Sequence, residues 1–255
     1  MPRSSHGGRH ELGQNFLTHR PTIARVSGLA AATRGAILEI GAGDGALTRE
    51  LVRLGRPVTA IDIDEHRVRR LRRAVPQARV VHADALRHPL DAPVVVGNVP
   101  FHVTTPILRR LLTARGWRHA ILLTQWEVAR KRAGVGGGTM MTAQAAPWFD
   151  FALVGRVPAR CFAPVPSVDG GLLTIARRAD PLVPVAERRA YGAFVAAVFT
   201  GRGGSLERVA ARASRRDPRA VRRVLAASGV RPHALPRDLA PEQWARLWEG
   251  VRRAP

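Results

Sequence analysis

The first two-thirds of the chain alternates short apolar runs with longer amphipathic stretches. Residues 36–40 (Ala-Ile-Leu-Glu-Ile) form one run, ending at Gly41, and residues 58–61 form another, ending at Asp62. Residues 79–82 are followed by Asp84, residues 93–96 run into Gly97 and Asn98, and residues 120–123 make a fifth run. Runs this short, rich in Val and Ile and closed by Gly, Asp or Asn, predict strands buried on both faces. Helical spacing fills the gaps, as over residues 64–74, where Asp64 is placed to cap the helix. Thr105-Pro106 predicts another helix start, with Thr as cap and Pro first in the helix.

Strands alternating with helices predict an α/β fold with a mostly parallel sheet covered on both faces. Ligands of such sheets bind at the carboxyl ends of the strands. Each Gly, Asp or Asn cluster named above lies at such an end.

After about Ala176 the strand signals stop. Residues 186–200, 205–213, 217–228 and 241–251 read as helices, the third opened by Asp217-Pro218 as cap and first residue. The stripes Leu206, Val209, Ala210 and Trp244, Leu247, Trp248, Val251 have the spacing of a packed helix face. The expected division is a disordered lead over residues 1–9, an α/β domain over 10–177 and a small all-helical domain over 178–255.

Composition narrows the function. With 255 residues, 45% of them hydrophobic, the chain can bury a substantial core. No apolar run approaches the roughly 18 residues of a membrane span, and the N-terminus lacks the apolar stretch of a secretory signal. A cytoplasmic protein without membrane contact is expected. Cys161 is the single cysteine, so neither an intrachain disulfide nor a cysteine zinc cluster is possible. It reads as a packing residue. The nine His show no ligand spacing, and no metal is expected.

Charge adds a partner. Lys plus Arg total 41 against 19 Asp plus Glu, a formal net charge of +22. Residues 1–176 hold 24 basic and 12 acidic groups, and residues 177–255 hold 17 and 7, so the shorter helical part is denser in positive charge. Such an excess repels itself unless a polyanion uses it, and nucleic acid is the usual one. Lys131 is the only lysine. A GC-rich genome also produces an Arg bias, so the bias alone does not argue for Arg-specific recognition.

Three strand ends carry candidate chemistry. Glu39-Ile40-Gly41-Ala42-Gly43-Asp44-Gly45 is a strand entering a glycine turn, which lets backbone approach a ligand closely. Its Gly-x-Gly-x-Gly spacing differs from the dinucleotide pattern, yet by itself it does not exclude NAD. Asp62, 19 residues after Gly43, can accept from both hydroxyls of a ribose, which suits NAD and S-adenosylmethionine equally. Asp84 can accept from the exocyclic amine of an adenine ring, or serve only its turn.

Residues 97–101, Gly-Asn-Val-Pro-Phe, decide between them. An amine on an aromatic ring is a weak nucleophile because its lone pair is delocalised. The Asn98 side chain and the Pro100 carbonyl are assigned as acceptors for its two hydrogens, turning the nitrogen toward a methyl donor. Val99 precedes a proline and is held extended. Phe101 offers a face on which a flipped base stacks. A sulfonium leaves readily, so positioning supplies most of the effect and no strong base is required.

These residues resemble the Erm family of 23S rRNA adenine-N6 methyltransferases, relatives of the 16S rRNA dimethyladenosine transferases. Further markers are residues 10–17 (His-Glu-Leu-Gly-Gln-Asn-Phe-Leu), 124–131 (Thr-Gln-Trp-Glu-Val-Ala-Arg-Lys) and 162–169 (Phe-Ala-Pro-Val-Pro-Ser-Val-Asp). The resemblance implies a Rossmann-like class I methyltransferase sheet, a helical RNA-binding C-terminal domain, S-adenosylmethionine as cofactor and 23S rRNA as partner of a monomer. It places Gln14 and Asn15 over the methionine end of the cofactor, with Gly41, Ala42 and Gly43 beneath. It gives ribose to Asp62, the cofactor adenine to Asp84 and the target amine to Asn98; Leu17, Ile63, Ala85 and Asn98 are further candidates for cofactor binding, and Asn98, Pro100 and Phe101 are the catalytic candidates. The implied product blocks macrolide, lincosamide and streptogramin B binding.

Val99 stands where the family usually has Ile or Leu, and Phe101 where it often has Tyr. Gly136-Gly137-Gly138 reads as a connector, with a hinge over RNA as the alternative, and Met140 and Met141 as core. A 16S rRNA dimethyltransferase, an NAD-dependent oxidoreductase and a non-catalytic RNA-binding factor are the competing readings. The oxidoreductase leaves residues 98–101 and the charge unexplained.

Overall fold

The computed structural model describes residues 15–253. Its strands are β1 (Phe16–Leu17), β2 (Ile37–Ile40), β3 (Val58–Asp62), β4 (Arg79–His82), β5 (Val94–Asn98), β6 (His119–Gln125), β7 (Phe149–Val157), β8 (Phe162–Ala163) and β9 (Gly170–Arg177). Seven of them form one sheet in the order β4-β3-β2-β5-β6-β9-β7, while β1 and β8 pair antiparallel by themselves. The pairs β3–β4, β2–β3, β2–β5 and β5–β6 are all parallel. The five predicted strands are therefore β2 to β6, and their apolar runs are buried because helices cover the sheet. Val94, Val95 and Val96 of β5 are fully buried.

Helix α1 (Arg20–Ala31) leads into β2, helices α2 (Ala46–Val52), α3 (Glu65–Ala74) and α4 (Thr104–Thr113) connect parallel strands, and α5 (Trp126–Arg132) follows β6. Asp64 caps α3 by accepting the Arg67 N–H, as its position predicts. The start of α4 differs from the sequence reading. A single 3-10 turn over Phe101–Val103 leads into it, so Thr104 opens the helix and Pro106 sits within its first turn.

Two compact units emerge. The first ends at Ala129 and resumes over Ala152–Ile175; the second takes Arg130–Phe151 and everything from Ala176 onward. Residues 130–151 join the helical unit rather than the α/β one. The reason is visible in its core. Tyr191 of α7 (Arg188–Thr200) is fully buried, and its hydroxyl donates to the Ala143 carbonyl of α6 (Met140–Ala145) at 2.9 Å. Its ring meets Trp148 and Trp248 edge to face. A second aromatic contact stacks Phe199 on Trp244 at 5.8 Å. Within this unit α8 (Leu206–Ser214), α9 (Pro218–Ala227) and α10 (Pro241–Arg253) follow as predicted, with Asp217 capping α9. Arg222 forks onto Glu207 at 2.7 and 3.1 Å, tying α9 to α8.

Three details depart from expectation. Met140 is exposed and Met141 half-buried, because they occupy the first turn of α6 rather than a core face. The glycine run is tied down, with the Gly138 N–H donating to the Arg237 carbonyl at 2.6 Å. Strands β7 and β9 have no counterpart in the sequence reading. In β7, Asp150, Gly155 and Arg156 interrupt the apolar pattern of an edge strand, and β9 opens on two glycines. Cys161 is buried, as a packing residue should be. The expected lead over residues 1–9 lies outside the described residues.

Candidate active site

Strand β2 stands between β3 and β5, and the chain leaves the carboxyl ends of β2 and β5 in different directions. A crevice opens at such a switch point. Two glycines shape it. Gly97 faces Ile40 in register, and a Cβ there would lie 2.5 Å from Ile40 Cγ1 and 2.7 Å from its carbonyl. Only glycine lets β5 come this close to β2. Gly43 has a φ of +55°, and a Cβ on it would meet the Phe16 ring at 2.9 Å. The glycine turn is thus packed beneath β1.

Asp62 ends β3 and is nearly buried. Its Oδ2 accepts the Gly43 N–H at 2.7 Å and its Oδ1 accepts the Asp64 N–H at 2.9 Å. Each carboxylate oxygen keeps a further lone pair. Asp84 accepts the Leu86 N–H at 2.7 Å, so the turn role and a place beside the cleft coexist. Arg110 of α4 braces the same turn, donating to the carbonyls of Ala85 and His88. The cleft between these strand ends has a volume of about 180 Å³. Ile63, Asp84 and Ala85 line it together with Gly41 and Asp62. Ile40, Ile61, Val103 and Ile107 complete an apolar slot. Ile63 is 51% exposed, an isoleucine that a flat ring would cover.

A smaller recess of about 30 Å³ adjoins it and shares Gly41, Asp62, Val99 and Pro100. Asn15, Phe16, Asn98 and Phe101 line the remainder. The Asn98 Nδ2 donates to the Asn15 carbonyl at 2.7 Å. A carbonyl cannot donate, so this bond fixes which end of the amide is nitrogen and leaves Oδ1 as the acceptor. The assignment of Pro100 changes in part. Its carbonyl already accepts the Val103 N–H at 3.1 Å and the Thr104 hydroxyl at 3.3 Å, which fills both lone pairs. Among the described residues the Val99 carbonyl has no such bond, and Val99 lines both clefts.

Beneath the glycine turn lies a buried carboxyl. Glu39 of β2 accepts the Thr48 hydroxyl at 2.6 Å. Burial pushes its pKa up to about 8, the Thr48 bond opposes this, and the Asp62 charge adds to it. Glu39 is therefore neutral at pH 7 and holds the turn through a hydrogen bond rather than a charge.

The predicted residues do not all converge. Leu17 and Ala42 are buried in the core and line neither cleft, and Gly43 acts through its N–H to Asp62. Gln14 lies outside the described residues. Sequence reasoning missed Ile40, Ile61 and Ile107, whose apolar character reads as core, and Phe16, whose motif gives no hint of its seat on Gly43. Among the described residues no group of three or more His, Cys, Asp or Glu is placed to hold a metal. Nor is any described helix long and apolar enough to cross a membrane.

An apolar slot, a ribose-height carboxylate and a glycine turn at a switch point fit a nucleoside carrying a polar tail. Together with the sheet and the helical C-terminal part, they define a Rossmann-like class I methyltransferase. Within that class the chain belongs to the ribosomal RNA adenine dimethylase family, whose model matches residues 5–251. It is 49% identical to the mycinamicin-resistance protein MyrB of Micromonospora griseorubida, over 98% of this chain and 82% of that one. It is 52% identical to an rRNA adenine N-6-methyltransferase of Corynebacterium diphtheriae, over 77% and 79% of the two chains. The crystal structure of the 23S rRNA methyltransferase ErmE superposes with a TM-score of 0.86 at 36% identity, covering 94% of this chain and all of that one.

Proposed function

We propose that this protein transfers a methyl group from S-adenosylmethionine to the N6 amine of an adenine in 23S rRNA, conferring macrolide-lincosamide-streptogramin B resistance. Its relatives are named for rRNA adenine methylation and for resistance to mycinamicin, and ErmE is a 23S rRNA methyltransferase. We propose further that it acts as a cytoplasmic monomer.

The observation that carries the reading is the Asn98 amide. Its nitrogen is spent on Asn15, so its oxygen accepts one hydrogen of the target amine. The Val99 carbonyl takes the second hydrogen in place of Pro100, whose ring keeps its place in the wall. Two acceptors turn the amine lone pair out of conjugation and toward the adjoining cleft. Phe101 stacks on the flipped base. When bound, S-adenosylmethionine would supply a sulfonium methyl carbon for a correctly aimed lone pair to attack, with the neutral thioether as leaving group. Asp62 holds the ribose of the donor with its remaining lone pairs, and Ile63, Asp84 and Ala85 hold the adenine. Gly41 lets backbone approach the donor's tail, and Asn15 closes over that end. The proton released from the amine passes to water after transfer, so no side chain needs to act as a strong base.

The test is to incubate the protein with labelled methyl donor and protein-free 23S and 16S RNA, then map the modified base. Label on one adenine N6 of 23S RNA is expected. Label on 16S RNA alone would move the chain to the small-subunit branch of its family.

A further inference from the structure

Arg67 of α3 lies outside both clefts, yet it touches three of the pieces that build them. Its guanidinium carbon sits 4.1 Å above the centre of the Phe16 ring, within cation–π range. Its Nη1 is 2.6 Å from Asp44 Oδ1, inside the glycine turn, and its Nε is 3.3 Å from Asp64 Oδ2, just past the end of β3. The side chain is only 23% exposed. The Phe16 ring also packs on Gly43 through its Cδ1 and Cε1. The aromatic ring therefore touches both the arginine and the glycine turn. The next residue back, Asn15, supplies the carbonyl that fixes the Asn98 amide.

We propose that Arg67 is a positioning residue: it clamps β1 over the glycine turn and, through Asn15, keeps the Asn98 oxygen aimed at the target amine. The proposal rests on the methyl-transfer reading above. An arginine suits this task because its planar cation stacks on the ring while its edge forms ion pairs with carboxylates, a combination a lysine's point charge matches less well; Nε is buried and makes no hydrogen bond among the described residues. Pairing of β1 with β8, Phe16 opposite Ala163, anchors the strand from the other edge but does not reach Asn15. Arg67 anchors the ring beside it. A loosened ring would leave the Asn98 amide free to rotate, so that its nitrogen faces the amine half of the time.

The experiment uses the full chain with Arg67→Met, Arg67→Lys and Phe16→Leu, and Arg69→Met as a control for charge. Arg69 is on the same helix, half-exposed and paired only with Glu65. Arg67→Met should lower kcat about tenfold and leave KM for an rRNA fragment within about twofold, because misaiming rather than binding is affected. Independently of activity, the Asn98 side-chain amide protons should exchange with solvent about tenfold faster. Arg67→Lys should regain part of the loss, and Arg69→Met should match the wild type. Combined with Phe16→Leu, Arg67→Met should cost no more than the worse single change, since both break one contact. Wild-type turnover and amide exchange in Arg67→Met would overturn the clamp, as would an equal loss in Arg69→Met or full multiplication with Phe16→Leu. Should Arg67→Met not fold, Phe16→Leu, which keeps apolar bulk without the aromatic face, carries the same kcat and exchange test. A wild-type chain that methylates no RNA would instead defeat the methyl-transfer reading, and the amide exchange would still report on the clamp.

Discussion

The carboxylate of Asp62 accepts the Gly43 N–H at 2.7 Å, joining the end of β3 to the turn after β2 across 19 residues of sequence. The same carboxylate, through its other oxygen, accepts the Asp64 N–H that opens α3. One nearly buried side chain thus ties the glycine turn to the start of α3.

Asp62→Ala should therefore act twice. It removes the proposed ribose contact and leaves two backbone N–H groups without an acceptor, each costing about 1–3 kcal/mol when buried. Methyl-donor affinity by equilibrium dialysis should fall at least about tenfold, and urea unfolding should show lower stability. Asp62→Asn, which keeps one acceptor oxygen, should lose less of both. Lost stability with unchanged donor affinity would reduce Asp62 to a structural role.

Asn98→Asp separates amide orientation from size. The new oxygen would face the Asn15 carbonyl, acceptor against acceptor, in place of a 2.7 Å hydrogen bond. The carboxylate must then swing away or take up a proton. Methyl transfer to RNA should drop on the order of 10²-fold, the usual cost of a misplaced transition-state hydrogen bond. Donor binding should hold within about a factor of three, since the donor's adenine and ribose are held by other residues. Labelled-methyl incorporation and equilibrium dialysis on one preparation read both quantities.

Much of this geometry was legible in the sequence where chemistry and secondary structure coincide. The runs that lead to Gly41, Asp62, Asp84 and Asn98 are strands, and these residues meet at two adjoining clefts because parallel strands bring their carboxyl ends to one edge. What escaped depends on contacts between residues far apart in sequence. Nothing in Phe16 announces that it covers Gly43, and nothing in Pro100 announces that its carbonyl is consumed by the 3-10 turn it begins. Residues 130–151 read as part of the α/β domain, with the Gly136-Gly137-Gly138 run as a connector, because their helices are short; the Tyr191 hydroxyl on Ala143 and the Tyr191 ring on Trp148 show which unit they complete. β7 escaped because an edge strand has no need of an unbroken apolar run.

The charge excess makes a prediction about salt. If the proposed rRNA substrate is gripped through the arginine-rich surface of a chain carrying +22, binding releases counterions from its phosphates. Affinity for an rRNA fragment should then fall on the order of 10²-fold over about a fourfold rise in salt concentration. Affinity for the methyl donor, held mainly in an apolar slot, should barely move. Filter binding and equilibrium dialysis across one salt series give the two slopes, and a flat RNA response would rule out the basic surface as the contact.

Glu39 predicts how stability changes with pH. Its pKa is about 8 in the folded protein, against 4.5 for an ordinary glutamate, chiefly because burial penalises its charge. Between these values the folded chain holds a proton that the unfolded chain has released. The native state then binds more protons, so stability falls as pH rises, by at most about 1.4 kcal/mol per pH unit from this group, and levels off above the folded pKa. Glu39→Gln keeps an oxygen to accept the Thr48 hydroxyl and removes the titration. Urea unfolding at about pH 5 and about pH 9 should show the wild type losing several kcal/mol more than Glu39→Gln over the interval. Thr48→Val should lower stability at both values, since Glu39 loses the Thr48 hydrogen bond in its protonated form at the lower pH and in its ionised form at the higher. Parallel pH profiles for wild type and Glu39→Gln would mean that Glu39 is ionised in the fold, with a counter-charge reaching it from beneath the turn.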